Sequence, residues 1–293
     1  MSKFILSTSS TADLTESYAQ EHDIECLPYS FLLDGTEYMD DFGRSLSYKD
    51  FYAKVRGGST PTTSMVNAAA YEKYFRSELD NGNDILHLEF SSALSGSYQN
   101  ALTVAERLNA EYKDNKVIVI DTLCASRGLG LLVDYTRKLR DSDKTVDEAA
   151  DWVEKNKRNL IHWFTVDDLN HLRKGGRLSR GAAFFGTMLK IKPVLDVDDK
   201  GRLIPHFKVR GRKKSITAMV EHMKTDIKDP DGQTVFICHG DCIEDAEHLA
   251  DLVREAFPSI TDIQIHYTGP VIGTHSGPGT LALFYMGKHR YRD

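Results

Sequence analysis

ILHLEFSSALSGS, residues 85–97, starts as an apolar-rich run and ends in a Ser/Gly loop. Ile85 to Phe90 is predicted to be a strand, and a helix is predicted from Tyr98 to Leu108 straight after the loop. The β-branched run Val117 to Ile120 is the next strand, followed by Asp121-Thr122 and a helix through Leu139. Upstream, Lys3 to Ser7 reads as a strand that stops at Thr8-Ser9-Ser10-Thr11. Asp13, with Glu16 three residues on, is then predicted to cap a helix. Strand and helix alternate, which argues for a parallel sheet with right-handed crossovers, the Rossmann-like pattern. In such sheets ligands sit beyond the carboxyl ends of the strands. The Ser/Thr/Gly runs fall at those ends, after strand one, after Phe90 and after Ile120.

Between these elements lie an apolar segment, Ile24 to Leu33, closed by Asp34-Gly35, and a helix from Tyr48 to Val55 begun by Ser47 and Asp50. Residues 57–64, GGSTPTTS, read as a loop. Ala68 to Leu79 reads as a helix with Tyr71, Phe75 and Leu79 on one face. Thr145 and Glu148 form a capping box for a helix ending near Lys157. From about Leu160 the pattern changes. A strand at Leu160 to Val166 and a helix around Asp168 to Lys174 precede two strand-like runs, Pro193 to Val197 and Leu203 to Val209. The short DDKG turn at 198–201 makes them an antiparallel hairpin, so this half holds a mixed sheet. Helix Ile216 to Thr225, strand Thr234 to His239, helix Glu244 to Glu255 and strand Ile263 to Tyr267 follow. The last motif, GPVIGTHSGPG at 269–279, reads as a loop before an apolar helix. The expected fold is therefore two α/β domains. Residues 1–160 form a parallel-sheet domain carrying the binding loops, and residues 161–293 form an α/β domain with a mixed sheet.

The totals exclude several classes. Of the 293 residues, 41% are hydrophobic and 27% charged, a globular balance. A net charge of −6 does not favour a broad nucleic-acid surface or attraction to anionic membrane. No apolar run reaches the roughly 18 residues of a membrane span, and Phe4 to Leu6 is too short for a signal-peptide core. Cys26, Cys124, Cys238 and Cys242 are sparse and irregular, as in a reduced compartment. A cytoplasmic protein without stable membrane insertion is expected.

Several constellations bear on chemistry. Pro61-Thr62-Thr63-Ser64 precedes a helix, where hydroxyls and free N–H groups hold a carboxylate or phosphate; taken alone it reads as a good N-cap. Ser95-Gly96-Ser97 repeats the arrangement, and Gly96 lets backbone N–H groups approach a ligand. Lys174-Gly175-Gly176-Arg177 suits a helix C-cap as well as it suits a site. The 269–279 loop holds His275, a hydrogen-bond donor to an anion, but lacks the Lys of a P-loop. Cys238, His239, Cys242 and His248 lack finger-like spacing, so no metal site is expected. KVRGRKK, 208–214, reads as a solvated strand end or a patch for an acidic protein partner. Ser95, His275 and an Asp fit a triad on paper, but the chain has no G-x-S-x-G elbow.

Six segments, in order, resemble the DegV family of fatty-acid-binding proteins. They are FILSTSSTADL from residue 4, PTTS at 61–64, SSALSGSYQNA at 91–101, DDLNHLRKGGRLS at 167–179, LKIKPVL at 189–195 and GPVIGTHSGPG at 269–279. The resemblance spans essentially the whole chain. It implies two α/β domains that enclose a long-chain fatty acid such as palmitate or oleate. It makes Thr62 and Ser95 the main carboxylate ligands, with Thr63, Ser64, Gly96 and His275 nearby. It also implies a carrier without catalytic activity or cofactor, which presents the acid to a fatty acid kinase for acyl phosphate formation and so serves phospholipid metabolism. Two departures stand out. Ser9 replaces the family's usual Asp, and Met65-Val66 replace its usual Gln-Pro after PTTS. AAFFGTML at 182–189 and LALFYM at 281–286 are candidate tunnel walls. The alternatives are an acyl-ester hydrolase acting through Ser95, or a lipid-sensing regulatory module that binds a protein through 208–214.

Overall fold

The computed structural model describes residues 4–178 and 191–290. The alternating first half forms a four-stranded, all-parallel sheet. Its strands are β1 (Ile5–Ser9), β2 (Ile24–Leu27), β6 (Ile85–Glu89) and β7 (Val117–Asp121), in the order β2-β1-β6-β7. Helices α3 (Ala68–Asp80) and α4 (Ser97–Glu111) cover one face. Tyr71, Phe75 and Leu79, each four residues apart, turn inward onto Ile85 and Val117 as their spacing predicts. On the other face Leu6, Leu86 and Leu88 pack against α5 (Arg127–Asp141) and α6 (Val146–Asn156), the latter begun by the expected capping box.

The second sheet is mixed, as the hairpin required. Its order is β10-β9-β8-β13-β11-β12, from β8 (Leu160–Thr165), β9 (Ile191–Val197), β10 (Leu203–Arg210), β11 (Thr234–His239), β12 (Asp262–Tyr267) and β13 (Leu281–Met286). All its pairings are antiparallel except β11 with β12. Helices α8 (Arg212–Asp226) and α9 (Ile243–Ala256) cover its outer face around Trp163 and Ile237. Helix α5 lies between the two sheets, against β1 and β6 on one side and β8, β11 and β13 on the other. It is accordingly buried nearly all round from Arg127 to Asp134. Two glycines allow this closeness. A Cβ on Gly128 would stand 2.2 Å from His162 Nε2, and one on Gly130 would stand 2.6 Å from the Ala12 carbonyl oxygen.

Four sequence expectations fail. Residues 61–64 do not start a helix. Thr62–Ser64 is a strand, β5, antiparallel to β3 (Ser30–Leu33), which also pairs with β4 (Thr36–Met39). The Ile24–Leu33 segment thus splits between two sheets, and Asn67 caps α3. Asp13 does not cap a helix. It sits at φ 49° with its side chain turned inward, and Thr15 caps α1 (Glu16–Glu21) by accepting from Tyr18 N–H at 3.1 Å. Residues 270–276 form a helix, α10 (Pro270–Ser276), with proline in its first turn and Gly277 at φ 80° after it. The apolar run after it is the central strand β13, not a helix. The run at 182–189 lies outside the described residues.

Asp13 joins three elements. Its carboxylate accepts from Ser126 Oγ at the start of α5 and, at 2.9 Å, from Gly269 N–H ahead of α10. Burial pushes its pKa up to about 7, against those hydrogen bonds and the charge of Arg127. Asp40 beside it is pushed well up by burial and by Asp13. A carboxyl whose pKa rises on folding contributes stability that is full below the unfolded value of 3.8 and is lost as pH climbs towards 7. Asp13→Asn should therefore flatten the stability profile between pH 4 and 7 by a few kcal/mol, read by urea denaturation across that range. An unaltered profile would show that Asp13 is not the titrating group.

Candidate functional site

The C-terminal end of β6 builds one wall of a cavity of about 640 Å³. After Glu89 the chain turns through Ser91, whose carbonyl accepts from the N–H groups of Leu94 and Ser95 at 2.9 and 3.2 Å. That turn places Ser95 and Gly96 in the wall just before α4. Ser95 Oγ accepts from Ser97 N–H at 3.2 Å, so the hydroxyl also serves the helix start. Its other partner is the Tyr29 hydroxyl at 3.1 Å.

Strand β5 builds the facing edge. In its register Thr63 lies opposite the buried Phe31, whereas Thr62 and Ser64 lie opposite Leu32 and Ser30. The pleat sends Thr63 inward. Its hydroxyl lies 2.9 Å from His275 Nε2 on α10. Thr63, Ser64, Ser95, Gly96 and His275 all line the cavity. Thr62 does not. It lines an adjoining depression shared with Thr63, His171, Lys174, Arg177 and His275. Thr63, Arg177 and His275 border both spaces.

His275 holds its place through contact with Gly175. A Cβ on Gly175 would lie 2.2 Å from His275 Nδ1, so the glycine of the KGGR motif admits the ring. Burial, and secondarily the charge of Arg177, lowers the imidazole pKa to about 4, so the ring is neutral at pH 7. Arg177 points its Nε–H at the Leu94 carbonyl, 3.1 Å away, bringing a cation to the border of the two spaces. Met65, one of the two departures after PTTS, lies against Gly96: a Cβ there would be 3.1 Å from Met65 Sδ.

Away from this polar edge the walls are apolar. Phe90, Leu94, Phe164, Val197, Ala282 and Phe284 line them, so the segment after β6 and strands β8, β9 and β13 all contribute. The cavity thus runs between the parallel sheet and the mixed sheet. Among the described residues no cluster of His, Cys, Asp and Glu has metal-ligand geometry, and all four cysteines are free. No helix among them is long and apolar enough to cross a membrane. The basic run at 208–214 is partly tied down, since Arg212 Nε donates to Asp245 at 2.8 Å.

Two side chains escaped the sequence reading: Tyr29, which lines the cavity, and Glu89 behind it. Glu89 is wholly buried. Its carboxylate accepts from Ser9 Oγ at 2.9 Å, Phe90 N–H at 2.8 Å, Tyr29 OH at 3.3 Å, His87 Nε2 at 3.0 Å, and Tyr71 OH. Burial raises its pKa, but the donors outweigh it and the net direction is down. Tyr29, from the link between β2 and β3, connects this carboxylate to Ser95. The available signal was a Glu inside a strand that otherwise reads as a buried apolar run.

A family model described as "Uncharacterised protein, DegV family" matches residues 3–288. The chain belongs to the DegV family. A DegV domain-containing protein of Clostridium perfringens is 45% identical over 287 residues, 98% of each chain. A Streptococcus pyogenes DegV domain-containing protein is 40% identical over 286 residues, 98% of this chain and 99% of its own. Among solved structures, a Thermotoga maritima protein described as revealing fatty acid binding function matches at TM-score 0.83 and 29% identity, over 98% of this chain and all of its own. The DegV fatty acid binding protein of Bacillus subtilis matches at TM-score 0.84 and 26% identity, with the same coverage. The parallel sheet beside a mixed sheet is the DegV fold.

Proposed function

We propose that this DegV protein binds one long-chain fatty acid, with its carboxylate on the Thr63–Ser95–His275 edge and its tail in the apolar cavity. The observation that carries the reading is that edge: hydroxyls from two separated segments and a neutral imidazole meet at one end of an apolar space of about 640 Å³. That volume lies within the roughly 300–1,000 Å³ usual for small-molecule sites. A tail of about 16 carbons offers roughly 12 kcal/mol of burial before ordering costs. The carboxylate loses water on entering and needs several donors in return. The two solved DegV relatives above, both described as binding fatty acid, support the same reading. In it residues 1–160 and 161–293 act as two domains, with the ligand between their sheets.

The reading extends to a carrier without catalytic activity that presents its fatty acid to a fatty acid kinase in the cytoplasm. Hydrolysis through Ser95 is less well supported. Ser95 is bonded to Tyr29 and Ser97, while His275 Nε2 is bonded to Thr63, so the histidine is not placed as base to the serine.

Native mass spectrometry of protein purified from cells, against a denatured control, should show a bound fatty acid. Protein that is repeatedly empty and takes up neither palmitate nor oleate defeats the reading. Ser95→Ala should weaken palmitate binding by about 1.5–3 kcal/mol, roughly 10- to 150-fold, as expected for a hydrogen bond to a charge. The pleat of β5 adds a contrast: Thr63→Ala should lose more affinity than Thr62→Ala in the same titration. The reverse order would move the carboxylate into the adjoining basic depression.

A further inference from the structure

We propose that the cavity carries a second polar point among its tail-side walls, made by the Ser126 and Thr268 hydroxyls beside the Cys238 thiol, and that it selects a fatty acid bearing a hydroxyl within its chain. The inference rests on the fatty acid reading above and adds a substrate class to it.

The second sheet and α5 bring these groups together. Cys238, near the C-terminal end of β11, pairs with Ala282 of β13 and lines the cavity with it. On its other side it pairs with His266 of β12. Thr268 comes two residues after His266, so it turns to the same face and also lines the cavity. Ser126 arrives from the start of α5, with its Oγ 3.3 Å from Cys238 Sγ. Burial pushes the thiol pKa up to about 11, while the Ser126 and Thr268 side chains beside it pull the other way. Ser126, Cys238 and Thr268 are only 6%, 1% and 0% exposed, so bulk water does not serve them. Phe164, next to Ala282 in the sheet, continues the wall assigned to the tail.

The patch is polar but incompletely paired. Ser126 gives its one proton to Asp13. The thiol has a single proton, so it serves at most one of the two oxygens, and at least one acceptor position on Ser126 stays open. Thr268 Oγ1 has no nitrogen or oxygen partner among the described residues. A thiol sulfur is a weak acceptor, so the Thr268 proton is poorly satisfied. The hydroxyl is not needed to hold the backbone there. Thr268 N–H donates to the His239 carbonyl at 2.9 Å, and its own carbonyl accepts from Tyr52 OH at 2.8 Å. A methylene packed against this patch leaves its buried groups unpaired, which is unfavourable. A ligand alcohol matches it, accepting from Thr268 and donating to Ser126. A carboxylate only accepts and would meet the lone pairs of Ser126, so the head group is directed to the other edge of the cavity.

Calorimetric titration of wild-type protein with palmitate, and with hydroxypalmitates carrying the hydroxyl at successive carbons, tests the inference. These isomers have nearly the same affinity for water, so differences among them isolate the contact. One position within the chain, or two neighbouring ones, should bind about five- to tenfold more tightly than the rest, the usual worth of one hydrogen bond. Thr268→Val, which exchanges the hydroxyl for a methyl of similar size, should level that peak, leave palmitate affinity unchanged and leave the urea midpoint no lower. Thr268→Ser should keep the peak. A flat wild-type series overturns the proposal, because water or the protein then serves both hydroxyls. A peak that survives Thr268→Val overturns it as well, and so does a peak at carbon 2, which belongs to the carboxylate edge. A lowered urea midpoint in Thr268→Val would make the hydroxyl a structural one, with the same consequence. Wild-type protein that binds neither palmitate nor any hydroxypalmitate defeats the fatty acid reading itself, whereas palmitate binding with a flat series defeats this inference alone.

Discussion

Glu89→Ala should destabilise the protein by about 3–5 kcal/mol, the range for removing one partner of a buried charged network. The loss is large because five donors converge on this side chain, and none of them reaches bulk water from where it stands. Alanine would leave Tyr71, Tyr29, Ser9, His87 and Phe90 N–H around a void. Against a typical total of about 5–15 kcal/mol, the variant should sit near the edge of folding at 37 °C. Urea denaturation should report the loss as a lower midpoint. The pH dependence has the opposite sign to that of Asp13. A glutamate whose pKa falls on folding contributes stability that is present above the unfolded value of 4.5 and is lost as pH drops through the folded value. Acid unfolding of the wild type should therefore become steep only below pH 4.5. A variant within about 1 kcal/mol of wild type would mean that the cluster is held by packing and not by the charge.

Ala282→Phe should abolish tight palmitate binding while leaving the fold intact. Ala282 is on β13, between Phe164 of β8 and Cys238 of β11, and its side chain lines the cavity. A phenyl group there occupies space assigned to the tail. If it excludes four methylenes, the forfeited burial is about 3 kcal/mol, or roughly 200-fold in affinity. Laurate, four carbons shorter, should lose far less, so the preference for palmitate over laurate should largely vanish. Calorimetric titration with both acids reads this directly. Parallel losses for palmitate and laurate would show that the tail does not pass Ala282.

The alternation of the first half was legible because each strand and helix satisfies a local period, and the hairpin at 198–201 fixed the mixed character of the second sheet. The misreadings share a cause. Thr62–Ser64 is a strand only because Ser30–Leu33, thirty residues earlier, offers it an edge, and no local pattern announces that pairing. Leu281–Met286 is buried on both faces as a central strand, so it lacks the alternation that separates strand from helix. Asp13 carries a capping signature, but burial against Ser126 and Gly269 outcompetes it. At the site, the hydroxyl loops were visible as motifs, whereas which of Thr62 and Thr63 borders the cavity depended on strand register. Tyr29 and Glu89 join Ser95 from 66 and 6 residues away, through the fold alone.

The central position of β13 has a bearing on synthesis. The parallel sheet can be complete once residue 121 has left the ribosome. The strand that joins β8 to β11 and carries Ala282 and Phe284 is the last of the described strands to be translated. At about 5–20 residues per second, roughly 10–30 s separate the two events. At the end of that interval, once β12 is made and before β13 inserts, the nascent chain holds two unjoined half-sheets with open edges, a state exposed to wrong pairing or to chaperones. On the proposed reading, a fatty acid can be enclosed only after β13 has inserted, so it cannot guide the early steps of folding.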